Sequence, residues 1–200
     1  MTSRRDHGGA GAGRAFARLA LVCAPALLFA AAVSARDFMD GPPPAHTGGF
    51  AEPTCRACHA DYPLNDGGTL AIEGAPPAYE PGRSYTLRIV LRHPELRRAG
   101  FQLSARFASG QARGRQAGTL RAADETASVV SEGDVSYAQH TRRGTTVAAP
   151  GEHAWTVHWI APADASADVV LHVAANAAND DFSEFGDRIH TASVTIARGK

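Results

Sequence analysis

From residue 69 onward, apolar residues recur at every second position in short runs that glycine and proline separate. Over Ser84–Arg92, Tyr85, Leu87, Ile89 and Leu91 fall on one face, with Thr86, Arg88, Val90 and Arg92 on the other. A period of two is that of a half-buried strand. Over His153–Ile160, Trp155, Val157 and Trp159 share a face in the same way. Shorter runs predict strands at Leu70–Ile72, Gly100–Phe107, Ala117–Leu120, Ala127–Val130, Val169–Val173 and Ala192–Ala197. Pro76-Pro77, Pro81-Gly82, Pro150-Gly151 and Pro162 punctuate these runs. No stripe of helical period appears after residue 36. Short strands with regular turns predict an all-β antiparallel sandwich, with an up-and-down barrel as the alternative architecture.

The N-terminal pattern is different. Arg4, Arg5, Arg14 and Arg18 precede an apolar run from Leu19 to Val33, and Val33-Ser34-Ala35 supplies small residues where a signal peptidase cuts. Residues 1–35 are therefore expected to be a cleaved signal peptide. The run is too short for a comfortable transmembrane helix, which wants about 20 apolar residues. Cys23 lies inside it, and Val22 before it does not suit a lipoprotein signal. Residues 36–68 read as an arm: Gly41-Pro42-Pro43-Pro44 and Gly48-Gly49 support neither a helix nor a central strand. The sandwich is expected over residues 69–200.

Charge narrows the partners. Removing Arg4, Arg5, Arg14, Arg18 and Asp6 with the leader leaves 16 basic against 19 acidic residues, a net charge of −3. No basic stripe is present to attract nucleic acid or an anionic membrane. No apolar anchor is expected after signal cleavage, and the protein is expected to be periplasmic or secreted. Two cysteines in the mature chain are too few for a disulfide-stapled small fold.

Those two carry the candidate chemistry. Cys55-Arg56-Ala57-Cys58-His59 is a C-x-x-C-H sequence, the attachment signal for c-type haem. Two thiols at this spacing can bond the two vinyl groups on one porphyrin edge, which brings the next residue beneath the iron. His59 is then the proximal ligand, and its second ring nitrogen is expected to donate to a backbone carbonyl or water. Three other readings exist: a Cys55–Cys58 disulfide, half of a zinc site, or a redox pair. Zinc lacks a second cysteine pair, and the redox pair lacks βαβ context.

Beyond the motif, the chain resembles the choice-of-anchor V, Reeler-like domains of bacterial exported proteins. The resemblance runs from His46-Thr47-Gly48-Gly49-Phe50 through Thr54-Cys55-x-x-Cys58-His59, Tyr79-x-Pro81-Gly82-x-x-Tyr85 and Ala99-Gly100-Phe101-Gln102-Leu103. It continues in Ala117-Gly118, Tyr137-x-x-His140-Thr141, Trp159-x-Ala161-Pro162, Ala175-Asn176-x-Ala178-Asn179 and Gly186-Asp187. It implies an immunoglobulin-like sandwich behind a loop-rich haem-attachment segment. Members often end in a surface anchor, and nothing comparable follows Ile196 here.

The mature chain has eight histidines and one methionine, Met39 in the arm, so a histidine is the expected sixth iron ligand. His140 is the first candidate because it falls in a segment of the resemblance and near a strand end. His46, just upstream of the attachment loop, is the second, and an open iron site is the remaining case. Asn176, Asn179, Asp180, Asp181, Glu184 and Asp187 form an oxygen-rich loop without EF-hand spacing, read as turn-building rather than calcium-binding. The expected function is electron transfer with redox partner proteins by one covalent haem c, a carrier more than a catalyst. The alternative is a haem-free exported β-sandwich binding or adhesion module with a Cys55–Cys58 disulfide.

Overall fold

The alternating runs form strands at or near where the pattern places them, and two further strands join them. The computed structural model describes residues 38–199; the expected leader, with Cys23, lies outside the described residues. The strands are β1 (Thr69–Glu73), β2 (Ala78–Tyr79), β3 (Ser84–Arg92), β4 (Arg98–Phe107), β5 (Thr119–Ala122), β6 (Ala127–Glu132), β7 (Val135–His140), β8 (Glu152–Ile160), β9 (Val169–Ala178) and β10 (Arg188–Arg198). A four-stranded sheet runs β1-β3-β8-β5, and a six-stranded sheet runs β2-β10-β9-β4-β7-β6. Neighbours are antiparallel throughout, apart from the short parallel pairing of β2 with β10. The architecture is the predicted all-β sandwich.

Side-chain alternation builds its core. Leu87, Ile89 and Leu91 of β3 and Trp155, Val157 and Trp159 of β8 meet Phe101, Leu103 and Ala105 of β4 and Leu171 and Val173 of β9. Both indole rings are buried, and each finds a partner for its N–H. Trp155 Nε1 donates to the Gly144 carbonyl at 2.7 Å, and Trp159 Nε1 to that of Ala117 at 2.9 Å. Burial of a ring this size is favourable only when that donor is satisfied.

The opposite face of the six-stranded sheet is polar yet buried. Gln102, Ser104 and Arg106 project from β4, and Gln139 pairs with Gln102 across β7. The proline-rich arm covers them. Gln102 accepts from the His46 backbone at 2.7 Å and donates to the Pro43 carbonyl at 3.0 Å. Thr47 reaches Ser104 at 3.4 Å, and Glu52 pairs with Arg106. Tyr137 donates to Glu52 Oε1 at 2.7 Å, and Thr47 donates to its Oε2 at 2.5 Å. Residues 43–52 are therefore zipped along β4 by side chains rather than by a strand ladder.

The His46-Thr47-Gly48-Gly49-Phe50 sequence makes that docking possible. Gly48 is left-handed at φ 77°, and a Cβ on Gly49 would lie 2.5 Å from the His172 ring. Phe50 then sits edge-on to His172 at 5.5 Å, under the guanidinium of Arg106 at 5.3 Å.

The sequence pattern missed β7 and placed β5 two residues early. The run Val135–His140 carries polar residues on positions that read as solvent-facing, although Tyr137, Ala138, Gln139 and His140 are all buried. Arm docking, not strand amphipathicity, buries Tyr137 and Gln139.

Candidate functional site

The arm leads into the Cys55–His59 segment. Cys55–Ala57 is one turn of 3-10 helix capped by Thr54, whose hydroxyl accepts from the Arg56 N–H at 3.2 Å. The Cys55 carbonyl accepts from both the Cys58 and His59 amides, at 3.2 and 3.0 Å. Coiling of this short stretch brings Cys55, Cys58 and His59 to the same cleft.

That cleft encloses about 960 Å³ when the solvent-filled space at its open mouth is included. Apolar walls come from Phe38, Met39, Pro42 and Pro43 of the arm and from Ala99, Gly100 and Phe101 of β4. Its other side is built from Asn176 and Ala178 of β9 and from the loop that ends at Asp187. At the rim, Phe182 is 58% exposed.

His59 has a partner that sequence reasoning did not supply. Its Nδ1 lies 2.9 Å from Asp187 Oδ2, with the oxygen off the ring's N–H axis, so the contact is electrostatic rather than a straight hydrogen bond. The Asp187 carboxylate is itself buried, accepting from Asn176 Nδ2 at 2.8 Å and from the Asn179 amide at 3.2 Å. The expected partner was a carbonyl or water; a buried carboxylate takes its place. Gly186-Asp187 carried the signal, as part of the resemblance, but lay among acidic residues that read as turn formers. Asp181 does build a turn, accepting from the Ser183 amide and hydroxyl, both at 2.9 Å.

Replacing Asp187 with alanine is expected to cost about 2–4 kcal/mol, since Asn176 Nδ2 and the Asn179 amide lose their charged acceptor. Urea denaturation of the purified variant measures it, and a loss below about 1 kcal/mol contradicts the arrangement.

The two thiols differ. Both are free; Cys58 is exposed, whereas burial pushes the Cys55 thiol up to about 12. A thiol held that far above neutrality is a poor nucleophile, which disfavours the thioredoxin-like reading.

Three histidines line the cleft: His46, His59 and His140. His140 is buried, and backbone groups engage both its nitrogens. Nε2 lies 3.0 Å from the Phe38 carbonyl, and Nδ1 lies 3.0 Å from the Phe101 N–H. A neutral ring that donates from Nε2 satisfies both, and burial lowers its pKa. His46 uses only Nδ1, which donates to the Pro44 carbonyl at 2.8 Å. Met39 also borders the cleft, with its sulfur 3.2 Å from an Arg142 nitrogen that donates to it. His93, His153, His158, His172 and His190 lie elsewhere.

Among the described residues no group of three or more His, Cys, Asp or Glu is arranged around a bare metal ion. No helix among them is long and apolar enough to cross a membrane.

No protein-family model matches the chain, and no curated protein matches it. Among solved structures it is similar to the Reelin-N domain of F-spondin, at 23% identity and TM-score 0.47, over 73% of this chain and 96% of that one. The human F-spondin reeler domain (fragment 1) is similar at 24% identity and TM-score 0.43, over 68% and 93% of the two chains. A cohesin module from a Clostridium perfringens family 33 glycoside hydrolase is similar at 11% identity and TM-score 0.45, over 66% and 96%. The sheet topology of the chain itself defines a β-sandwich module. An arm crosses the outer face of one sheet and ends in a cysteine- and histidine-lined cleft.

Proposed function

We propose that this module is an exported, monohaem c-type cytochrome-like protein of the choice-of-anchor V kind, which transfers electrons to redox partner proteins. The observation that carries the reading is convergence: Cys55, Cys58 and His59 border one mostly apolar cleft, and Asp187 Oδ2 lies 2.9 Å from Nδ1 of His59. With Asp187 beside Nδ1, Nε2 of His59 is the ring atom that would bind a metal.

The residues fit a covalent haem. Cys55 and Cys58 would hold it by adding each S–H across a vinyl group, an addition that needs no oxidant. The Cys55 thiol, half-buried and raised by desolvation, would be easiest to attach while this segment is still open. His59 would bind the iron from one side, and the proline and phenylalanine walls would keep water from most of the ring. A bound haem supplies a one-electron couple, whose potential such a dry, hydrogen-bonded shell tunes. The cleft mouth, beside Phe182, is where a partner would approach.

Protein matured in a host with a c-haem assembly system is expected to be red. Its mass should exceed that of the polypeptide by one haem, and its colour should survive acid-acetone extraction. Replacing Cys55 and Cys58 with serine is expected to abolish both properties. The second reading, a haem-free binding module, draws on the sandwich being a complete fold whose core involves neither cysteine. Colourless secreted protein with an oxidised Cys55–Cys58 pair would establish it in place of the first.

A further inference from the structure

We infer that His46 is the distal, sixth ligand of the iron, an assignment that rests on the haem reading above. A histidine that binds a metal through one nitrogen almost always donates the other N–H to a carboxylate or a carbonyl, which sets the tautomer and aims the ring. His46 meets that condition through a hydrogen bond from Nδ1 to the Pro44 carbonyl, and His59 has the Asp187 carboxylate beside the corresponding nitrogen. Because a carbonyl can only accept, His46 Nδ1 carries the proton and Nε2 keeps its lone pair.

His140 does not meet it. Both its nitrogens already serve backbone groups, the half-buried Phe38 carbonyl and the buried Phe101 amide, so ligation would strip one of them of its partner. Met39, the softer alternative, accepts from Arg142.

The position of His46 is also firmly held. Its own amide donates to Gln102 Oε1, Gln102 Nε2 donates back to the Pro43 carbonyl, and the neighbouring Thr47 is buried against Glu52. Ala45 is left-handed at φ 61°, a conformation uncommon for alanine that the contacts on either side maintain. The arm that delivers the cysteines thus delivers both axial ligands, His46 nine residues before Cys55 and His59 just after Cys58. With both axial positions filled by imidazole, the site is built for outer-sphere electron exchange rather than for binding gases or peroxide.

The test uses full-length protein matured with haem. Wild type is expected to show a low-spin ferric spectrum. His46→Ala is expected to be high-spin, to return to low spin on adding millimolar imidazole, and to bind carbon monoxide when reduced. His140→Ala is expected to stay low-spin. The inference is overturned if His46→Ala stays low-spin without imidazole, if His140→Ala alone turns high-spin, or if haem-bearing wild type is already high-spin. Each of those results leaves the haem reading standing. Secreted wild type without covalent haem overturns both.

Discussion

Glu52→Ala is expected to destabilise the protein by about 3–5 kcal/mol, the usual cost of removing one partner from a buried ion pair. Glu52 and Arg106 are both almost fully buried, and the carboxylate also accepts from Tyr137 and Thr47. Without it, Arg106 is left over the Phe50 ring with the Tyr137 hydroxyl, and burial already lowers the pKa of its guanidinium. The effect extends past stability. Glu52 lies between Thr47 and Cys55, so its loss is expected to loosen both ends of the arm segment. Urea denaturation gives the first quantity, and limited proteolysis within residues 38–58 reports the second. A loss below about 1 kcal/mol with unchanged cleavage would show that the arm is held elsewhere. Arg106→Met combined with Glu52→Leu is expected to recover part of the loss, because no buried charge then remains unpaired.

The second large effect is acid lability. His190 is completely buried in β10; neither ring nitrogen has a hydrogen-bond partner, and a Cβ on Gly68 would lie only 2.8 Å from its ring. Burial first, and then the nearby His93, pull its pKa from the ordinary 6.5 to about 4. The folded state therefore refuses a proton that the unfolded chain accepts. Stability from this group is complete above pH 6.5 and is lost as pH falls from 6.5 to about 4. The loss is on the order of 2–3 kcal/mol from this residue. Burial lowers the pKa of His93, His140, His153 and His172 in the same direction, which steepens the fall. Denaturation midpoints measured between pH 4 and pH 7 should drop steadily in wild type and less steeply in His190→Leu. Parallel curves for the two proteins would show that His190 does not titrate in this way.

How far the sequence reached differs from segment to segment. β3 and β8 were legible to the residue or nearly so, because each has a dry face and a wet face and their alternation reports it directly. β7 was not, since Tyr137 and Gln139 are polar residues whose burial depends on an arm nearly a hundred residues earlier. The same holds for Gln102, Ser104 and Arg106, which as a pattern look like the wet side of β4. Within the candidate site, Cys55, Cys58 and His59 stood out because their chemistry depends on spacing within one turn of chain. Asp187 did not, because its relation to His59 spans more than a hundred residues and its neighbours have the composition of a turn.

By itself, then, the order of residues determined the β class, most strand positions and the five-residue Cys55–His59 segment that carries the candidate chemistry. Those features are local, and periodicity or spacing suffices to encode them. Only the tertiary structure decided that the proline-rich arm lies along β4 and that Asp187 meets His59. It also decided that His46 keeps a ring nitrogen without a backbone partner while His140 keeps none. Each of these is a question of which distant polar groups satisfy one another once water is excluded, and no local pattern records the answer.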